Sequence, residues 1–224
     1  MDTRFAPDVL SAAEMSSGEA VSFYVEFGKR AFDLVLGSLL LVLVLPLMAL
    51  LMAIVASDGG APLFAHTRVG RGGRTFQCLK IRTMVLDAEA RLQHLLKDDP
   101  ELAAEWERDQ KLTVDPRVTR FGHFLRRTSL DEIPQLINVV RGEMSLVGPR
   151  PVTAPEVDRY GPGAEAYLSV RPGLTGPWQI EGRNDIAFPE RVLIDQAYAR
   201  QISFLRDIKI VLLTTRVVLA AGGR

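Results

Sequence analysis

At 224 residues the chain can hold one globular domain with its own core plus an anchor. Lys and Arg total 27 and Asp and Glu total 27, so the overall charge gives no support to a nucleic-acid binder. One cysteine, Cys78, excludes an intramolecular disulfide and fits a reducing compartment, and His66, His94 and His123 lack the spacing of a zinc site.

Residues 1–27 set Asp2, Asp8, Glu14, Glu19 and Glu26 against Arg4 alone, and read as an acidic, flexible leader. Leu34 to Ala56 then carries no charged residue and is long enough to cross a bilayer. Bases flank it on both sides, Lys29 and Arg30 before and Arg68, Arg71 and Arg74 after, so both ends favour the same membrane face. Pro46 near its middle removes a backbone donor and bends a helix. These features predict a re-entrant helix over residues 28–58, with a kinked spanning helix as the alternative.

Residues 59–224 are expected to form one domain on that same membrane face. Gly59-Gly60-Ala61-Pro62 is a linker, and Gly70, Gly72 and Gly73 a hairpin-like turn into a short strand over Thr75–Ile81. The stretch from His66 to Arg82 holds Arg68, Arg71, Arg74, Lys80 and Arg82 without an acid, a basic patch suited to phosphates. Periodicity predicts a charged helix over Val85–Gln110, a break at Asp115-Pro116, and helices over Ile133–Val140 and Glu156–Val170. Arg171–Pro177 reads as a loop. Glu190–Ala221 reads as one amphipathic helix, lying on a membrane or on the core. The fold class is α+β, mostly helical, with a small β element and amphipathic surface helices.

The chemistry concentrates at Asp131-Glu132. Ser129-Leu130-Asp131-Glu132 fits a capping box, and acids belong in a helix's first turn. The same carboxylates can hold Mg²⁺ or attack phosphorus. An attacking carboxylate needs cations around the phosphoryl oxygens, and Arg126, Arg127, Arg150 and Arg183 are the candidates. Gly148-Pro149-Arg150-Pro151 presents one arginine on a stiff loop. Strand alternation places Lys80 and Arg82 on one face, as a phosphate wall or a solvated strand face.

Taken together, the blocks resemble the bacterial sugar transferase family, monotopic phosphoglycosyl transferases of polyprenyl-phosphate pathways. The blocks are Lys29-Arg30-Ala31-Phe32-Asp33, Arg68-Val69-Gly70, Lys80-Ile81-Arg82-Thr83-Met84, Asp115-Pro116-Arg117-Val118-Thr119, Arg126–Pro151, Arg171–Gly176 and Trp178–Asn184. The resemblance implies a cytoplasm-facing, re-entrant membrane helix introduced by Lys29, Arg30 and Asp33 and broken at Pro46, and a cytoplasmic catalytic domain over residues 59–224. It implies a catalytic dyad, Asp131 and Glu132, that also binds Mg²⁺, and phosphate-binding Arg126, Arg150 and Arg183. Lys80 and Arg82 are placed with them. The expected reaction moves a hexose 1-phosphate from a UDP-hexose, glucose or galactose, to undecaprenyl phosphate. It passes through an aspartyl-phosphosugar and starts exopolysaccharide or another surface glycan at the bacterial inner membrane. Inner-membrane lipid is the expected partner, and a homodimer is allowed. The chain is expected to be a small form with a leader, lacking the front membrane helices of larger relatives. Leu45 stands where the family often has Ser before the proline, a departure that bears on re-entry. The competing readings are a non-catalytic scaffold whose dyad only caps a helix, and a single-span protein with a phosphatase-like domain.

Overall fold

The computed structural model describes residues 23–109, 112–181 and 186–219. The leader before Phe23 lies outside these residues. A π-helical turn at Tyr24–Gly28 runs into α1, Lys29–Ala56. This helix continues through Pro46, without the break there that the resemblance implies, and its path along the axis is about 42 Å at a rise of about 1.5 Å per residue. Its outward side chains are apolar and exposed, with Val35 at 72% and Leu43 at 73%, while Met48 and Leu51 are buried. α1 is held against the rest of the chain at both ends. At the head, Asp33 Oδ1 accepts from Ser145 Oγ and Leu146 N, both at 2.9 Å. At the tail, Leu51 packs with Ile81 and Leu125.

Two small sheets follow. β1, Leu63–Val69, and β2, Thr75–Ile81, form an antiparallel hairpin closed by Gly72 and Gly73 at positive φ, as the glycines predict. β3, Ser145–Val147, pairs in parallel with β4, Gly173–Thr175. β4 falls inside Arg171–Pro177, which the sequence reading makes a loop. Its hydrogen bonds come from residues far away in the chain: Ser145 N to Pro172 O, Gly148 N to Thr175 O and Gly173 N to Pro149 O, all 2.8 Å. Gly148 is forced by this crossing, because a Cβ there would collide with Arg171 O and Gly173 N.

The helices are shorter and more numerous than periodicity suggests. Val85–Gln110 divides into α2, Ala88–Asp98, and α3, Pro100–Asp109. Pro100 excludes helical backbone at Asp99, which turns extended and caps α3 by accepting from Glu101 N and Leu102 N. An unanticipated helix, α4, covers Arg120–Thr128, capped by the Thr119 side chain on Gly122 N. α5 is Gln135–Arg141, starting after Pro134 rather than at Ile133. Gly161-Pro162-Gly163 splits Glu156–Val170 into α6, Ala154–Arg159, and α7, Ala164–Ser169. α8, Pro177–Glu181, precedes α9, Phe188–Arg200, and α10, Phe204–Leu219. The single helix expected over Glu190–Ala221 is therefore two, parted at residues 201–203. The central core gathers Val139, Met144, Leu146, Val147 and Tyr198, with Phe32, Leu36 and Leu40 of α1 laid against it.

Candidate active site

The dyad sits on a tight 3-10 turn, Leu130–Glu132, between α4 and α5. Ser129 is the only non-glycine at positive φ among the described residues (φ 58°), and its N–H closes α4 by bonding back to Arg126 O. Its side chain makes no cap, so the capping box suggested by Ser129-Leu130-Asp131-Glu132 does not form. Asp131 is 7% exposed.

Lys80 is drawn to both carboxylates. Its Nζ lies 2.7 Å from Glu132 Oε1 and 3.8 Å from Asp131 Oδ2. Asn138 of α5 sets that alignment by acting as an extra strand residue. Its Oδ1 accepts from Leu79 N at 3.0 Å and its Nδ2 donates to Gln77 O at 2.8 Å, stitching α5 to the open edge of β2. Burial raises the Asp131 pKa, Lys80 draws it down, and neighbouring Glu132 pushes it up again.

The arginines divide into distinct groups. Arg126 donates through Nε to Thr83 Oγ1 at 2.9 Å and lies within electrostatic reach of Asp131. Arg150, held by its prolines at the end of β3, stacks its guanidinium over Trp178 at 5.0 Å. Arg82 stands apart, because β2 ends at Ile81 and the alternation stops there. Its guanidinium bonds Asp58 at 2.8 and 2.6 Å, Val55 O at 3.0 Å and Ala61 O at 2.8 Å, closing the tail of α1. Arg183 lies outside the described residues.

Lys80, Glu132 and Arg150 line one open cleft of about 370 Å³, together with Arg68, Trp178, Gln135 and Gln179. Sequence reasoning missed Asn138 and Thr83, whose roles depend on contacts distant in the chain. Arg68 and Trp178 stood in noted blocks without being assigned to the site.

The membrane-helix residues belong to the frame of the site. Lys29 Nζ bonds Asp207 at 2.6 Å and Tyr198 OH at 3.0 Å. Arg30 donates to Val139 O and Val140 O, both at 2.7 Å, placing a cation on the C-terminal end of α5. α1 is thereby tied to the helix that follows the dyad.

Among the described residues no cluster of three or more His, Cys, Asp and Glu side chains could hold a metal. Mg²⁺ asks for less, taking one or two protein carboxylates and completing its shell with substrate phosphates and water. Asp131 and Glu132 are adjacent hard oxygen donors that share Lys80, Glu132 lining the cleft and Asp131 buried behind it, and they fit that requirement.

The sequence model of the bacterial sugar transferase family matches residues 24–221. The chain is 51% identical over 197 residues to a UDP-galactose-lipid carrier transferase of Erwinia amylovora, covering 88% of this chain and 41% of that protein. It is 47% identical to an undecaprenyl-phosphate galactose phosphotransferase of Salmonella typhimurium, with the same two coverages. It therefore spans about two-fifths of the length of these relatives. With the exopolysaccharide production protein ExoY of Sinorhizobium fredii it shares 47% identity over 196 residues, 87% of each chain.

Proposed function

Because the chain belongs to the bacterial sugar transferase family, we propose that it transfers hexose 1-phosphate from a UDP-hexose to undecaprenyl phosphate. UMP is released, and the product starts a surface glycan such as an exopolysaccharide. The observation that carries this reading is a buried aspartate facing Lys80, with Arg126 in reach and Arg150 on the adjoining cleft wall.

Asp131 is the nucleophile. Its carboxylate oxygen bonds to the β-phosphorus of the donor, while the bond from that phosphorus to the bridging oxygen breaks. The electron pair leaves with UMP, and the hexose phosphate stays on Asp131. An oxygen of undecaprenyl phosphate then attacks the same phosphorus, and Asp131 departs as a free carboxylate. Lys80, Arg126 and Arg150 offset charge on the phosphoryl oxygens, which would otherwise repel an anionic nucleophile. Mg²⁺ held by Asp131 and Glu132 would polarise the phosphoryl group and shield the approaching carboxylate. Ser129 leaves the dyad uncapped by its side chain, which counts against a dyad that merely caps a helix.

The membrane arrangement belongs to the same proposal. A straight crossing by a helix of about 42 Å would place its ends on opposite membrane faces. Instead Lys29 at the head and Asp58 just past the tail bond to one domain, through Asp207 and Arg82. This supports a helix that bends at Pro46 without breaking, dipping into the cytoplasmic leaflet of the inner membrane and returning, its exposed Val35, Leu39, Val42 and Leu43 facing acyl chains. The test is incubation of nanodisc-held protein with Mg²⁺, undecaprenyl phosphate and a panel including UDP-glucose and UDP-galactose, scoring UMP. Lipid-dependent UMP from a UDP-hexose is expected; folded protein that releases none from any donor overturns the proposal.

A further inference from the structure

One cation on the cleft wall has no part in the mechanism above. Arg68 lies on β1, and the hairpin register sets Phe64 opposite Lys80 and Arg68 opposite Phe76. Paired residues share a face and alternate residues return to it, so Arg68 projects on the same face as Lys80, four positions along. At about 3.4 Å per residue their backbones are about 14 Å apart. Both side chains line the cleft. Arg68 therefore reaches the cleft from further along the hairpin than Lys80, on the side where it acts electrostatically on Arg150.

The end of β1 is built to bring Arg68 and Arg150 together. Val69, next to Arg68, bonds through its N–H to Val152 O at 2.9 Å, two residues beyond Arg150. Tyr167 reinforces the bridge, its hydroxyl donating to Val69 O at 2.6 Å and accepting from Val152 N at 3.2 Å. Glu156 then fixes the guanidinium. Its Oε2 accepts from Arg68 at 3.1 Å and also from Thr153 N at 2.8 Å and Thr153 Oγ1 at 2.9 Å. The other oxygen lies 3.9 Å from Arg191, so one carboxylate serves two guanidinium groups and this end of the cleft keeps a positive excess. Arg68 also sits 3.2 Å from His66 Nδ1.

We propose that Arg68, oriented by Glu156, binds the α-phosphate of the nucleotide, the half of the donor that leaves as UMP. This rests on the UDP-hexose reading and divides the cleft: Lys80, Arg150 and the dyad serve the transferred β-phosphate, and Arg68, beside Arg150, serves the leaving group. As the bridging oxygen takes the electron pair, charge accumulates on UMP, and a guanidinium already in place stabilises it without rearrangement.

The test titrates UMP and uridine into full-length protein in nanodiscs, for the parent and for Arg68→Gln, Arg68→Lys and Glu156→Gln, with a thermal melt of each. Arg68→Gln is expected to weaken UMP about tenfold, leave uridine unchanged and leave the KM for undecaprenyl phosphate unchanged. Arg68→Lys, which keeps the charge, loses less. Glu156→Gln keeps an amide oxygen to accept from Arg68 while removing the competing charge, and so keeps UMP affinity at or above the parent's. The proposal is overturned if Arg68→Gln binds UMP as the parent does. It is also overturned if Arg68→Gln and Glu156→Gln lose UMP affinity and melting temperature alike, the mark of a structural tie. A rise in the KM for undecaprenyl phosphate with UMP unaffected would assign the cation to the lipid phosphate instead. Folded parent protein that binds neither UMP nor UDP-hexose would overturn the donor reading itself.

Discussion

Replacing Lys80 by Met should move the acid side of the pH–rate profile to higher pH. Asp131 must be ionised to attack, yet burial raises its pKa and Glu132 adds to that, with Lys80 opposing both. The Lys80–Asp131 separation of 3.8 Å gives an attraction of about 4 kcal/mol at an effective dielectric constant of about 20. Lys80 is 29% exposed and closer to Glu132 than to Asp131, so solvent and sharing reduce this. If half remains, about 2 kcal/mol, Lys80→Met lowers kcat/KM by up to roughly thirtyfold on the acid limb, where Asp131 is protonated. The sign follows from the charge removed: without Lys80 the carboxylate holds its proton to higher pH, and part of the loss returns in alkaline buffer. The assay is UMP release at saturating acceptor across pH for parent and variant. An acid limb at the parent's position, with a loss below about threefold, would refute the argument.

Further consequences follow from particular contacts. Asn138→Ala strips partners from Leu79 N and Gln77 O; it should cost about 2–4 kcal/mol in a chemical or thermal melt and lower kcat by loosening Lys80 against the dyad. Gly148→Ala drives a Cβ into Arg171 O and Gly173 N, so β3 and β4 part and Arg150 is displaced; the expected outcome is low folded yield and no UMP release. Asp195 is buried with its Oδ1 lacking a partner, and burial pushes its pKa up to about 6 from 3.8. Its protonated form is therefore favoured by folding, and the stability this brings, up to about 3 kcal/mol, is present below about pH 4 and lost as pH rises through about 6. Asp195→Asn should raise the melting temperature at pH 7.5 and flatten its pH dependence between 4 and 7.5.

What the sequence made legible was carried by local signals. The apolar run names α1, the glycines at 70, 72 and 73 name the hairpin, and Asp131-Glu132 beside arginines names the dyad. The parts it concealed depend on distant partners. β4 exists because Ser145, Gly148 and Pro149 exchange hydrogen bonds with residues 172–175, and no propensity within Arg171–Pro177 could announce that. Ser129 reads as an N-cap by pattern, but the preceding α4 needed it first, as a left-handed C-cap. Lys80 and Arg82 look equivalent by alternation; the strand ends between them, and Lys80 joins the dyad while Arg82 closes the tail of α1. The break at Asp99-Pro100 was readable from the proline rule, and the charged periodicity across it masked the signal.

The central claim is that Asp131 carries the phosphosugar. Intact-mass measurement of nanodisc-held protein after incubation with Mg²⁺ and the active UDP-hexose, without undecaprenyl phosphate, tests it most directly. The account predicts an added hexose phosphate on Asp131 that disappears when undecaprenyl phosphate is supplied, and no adduct on Asp131→Asn. Turnover or an adduct that survives in Asp131→Asn would contradict it.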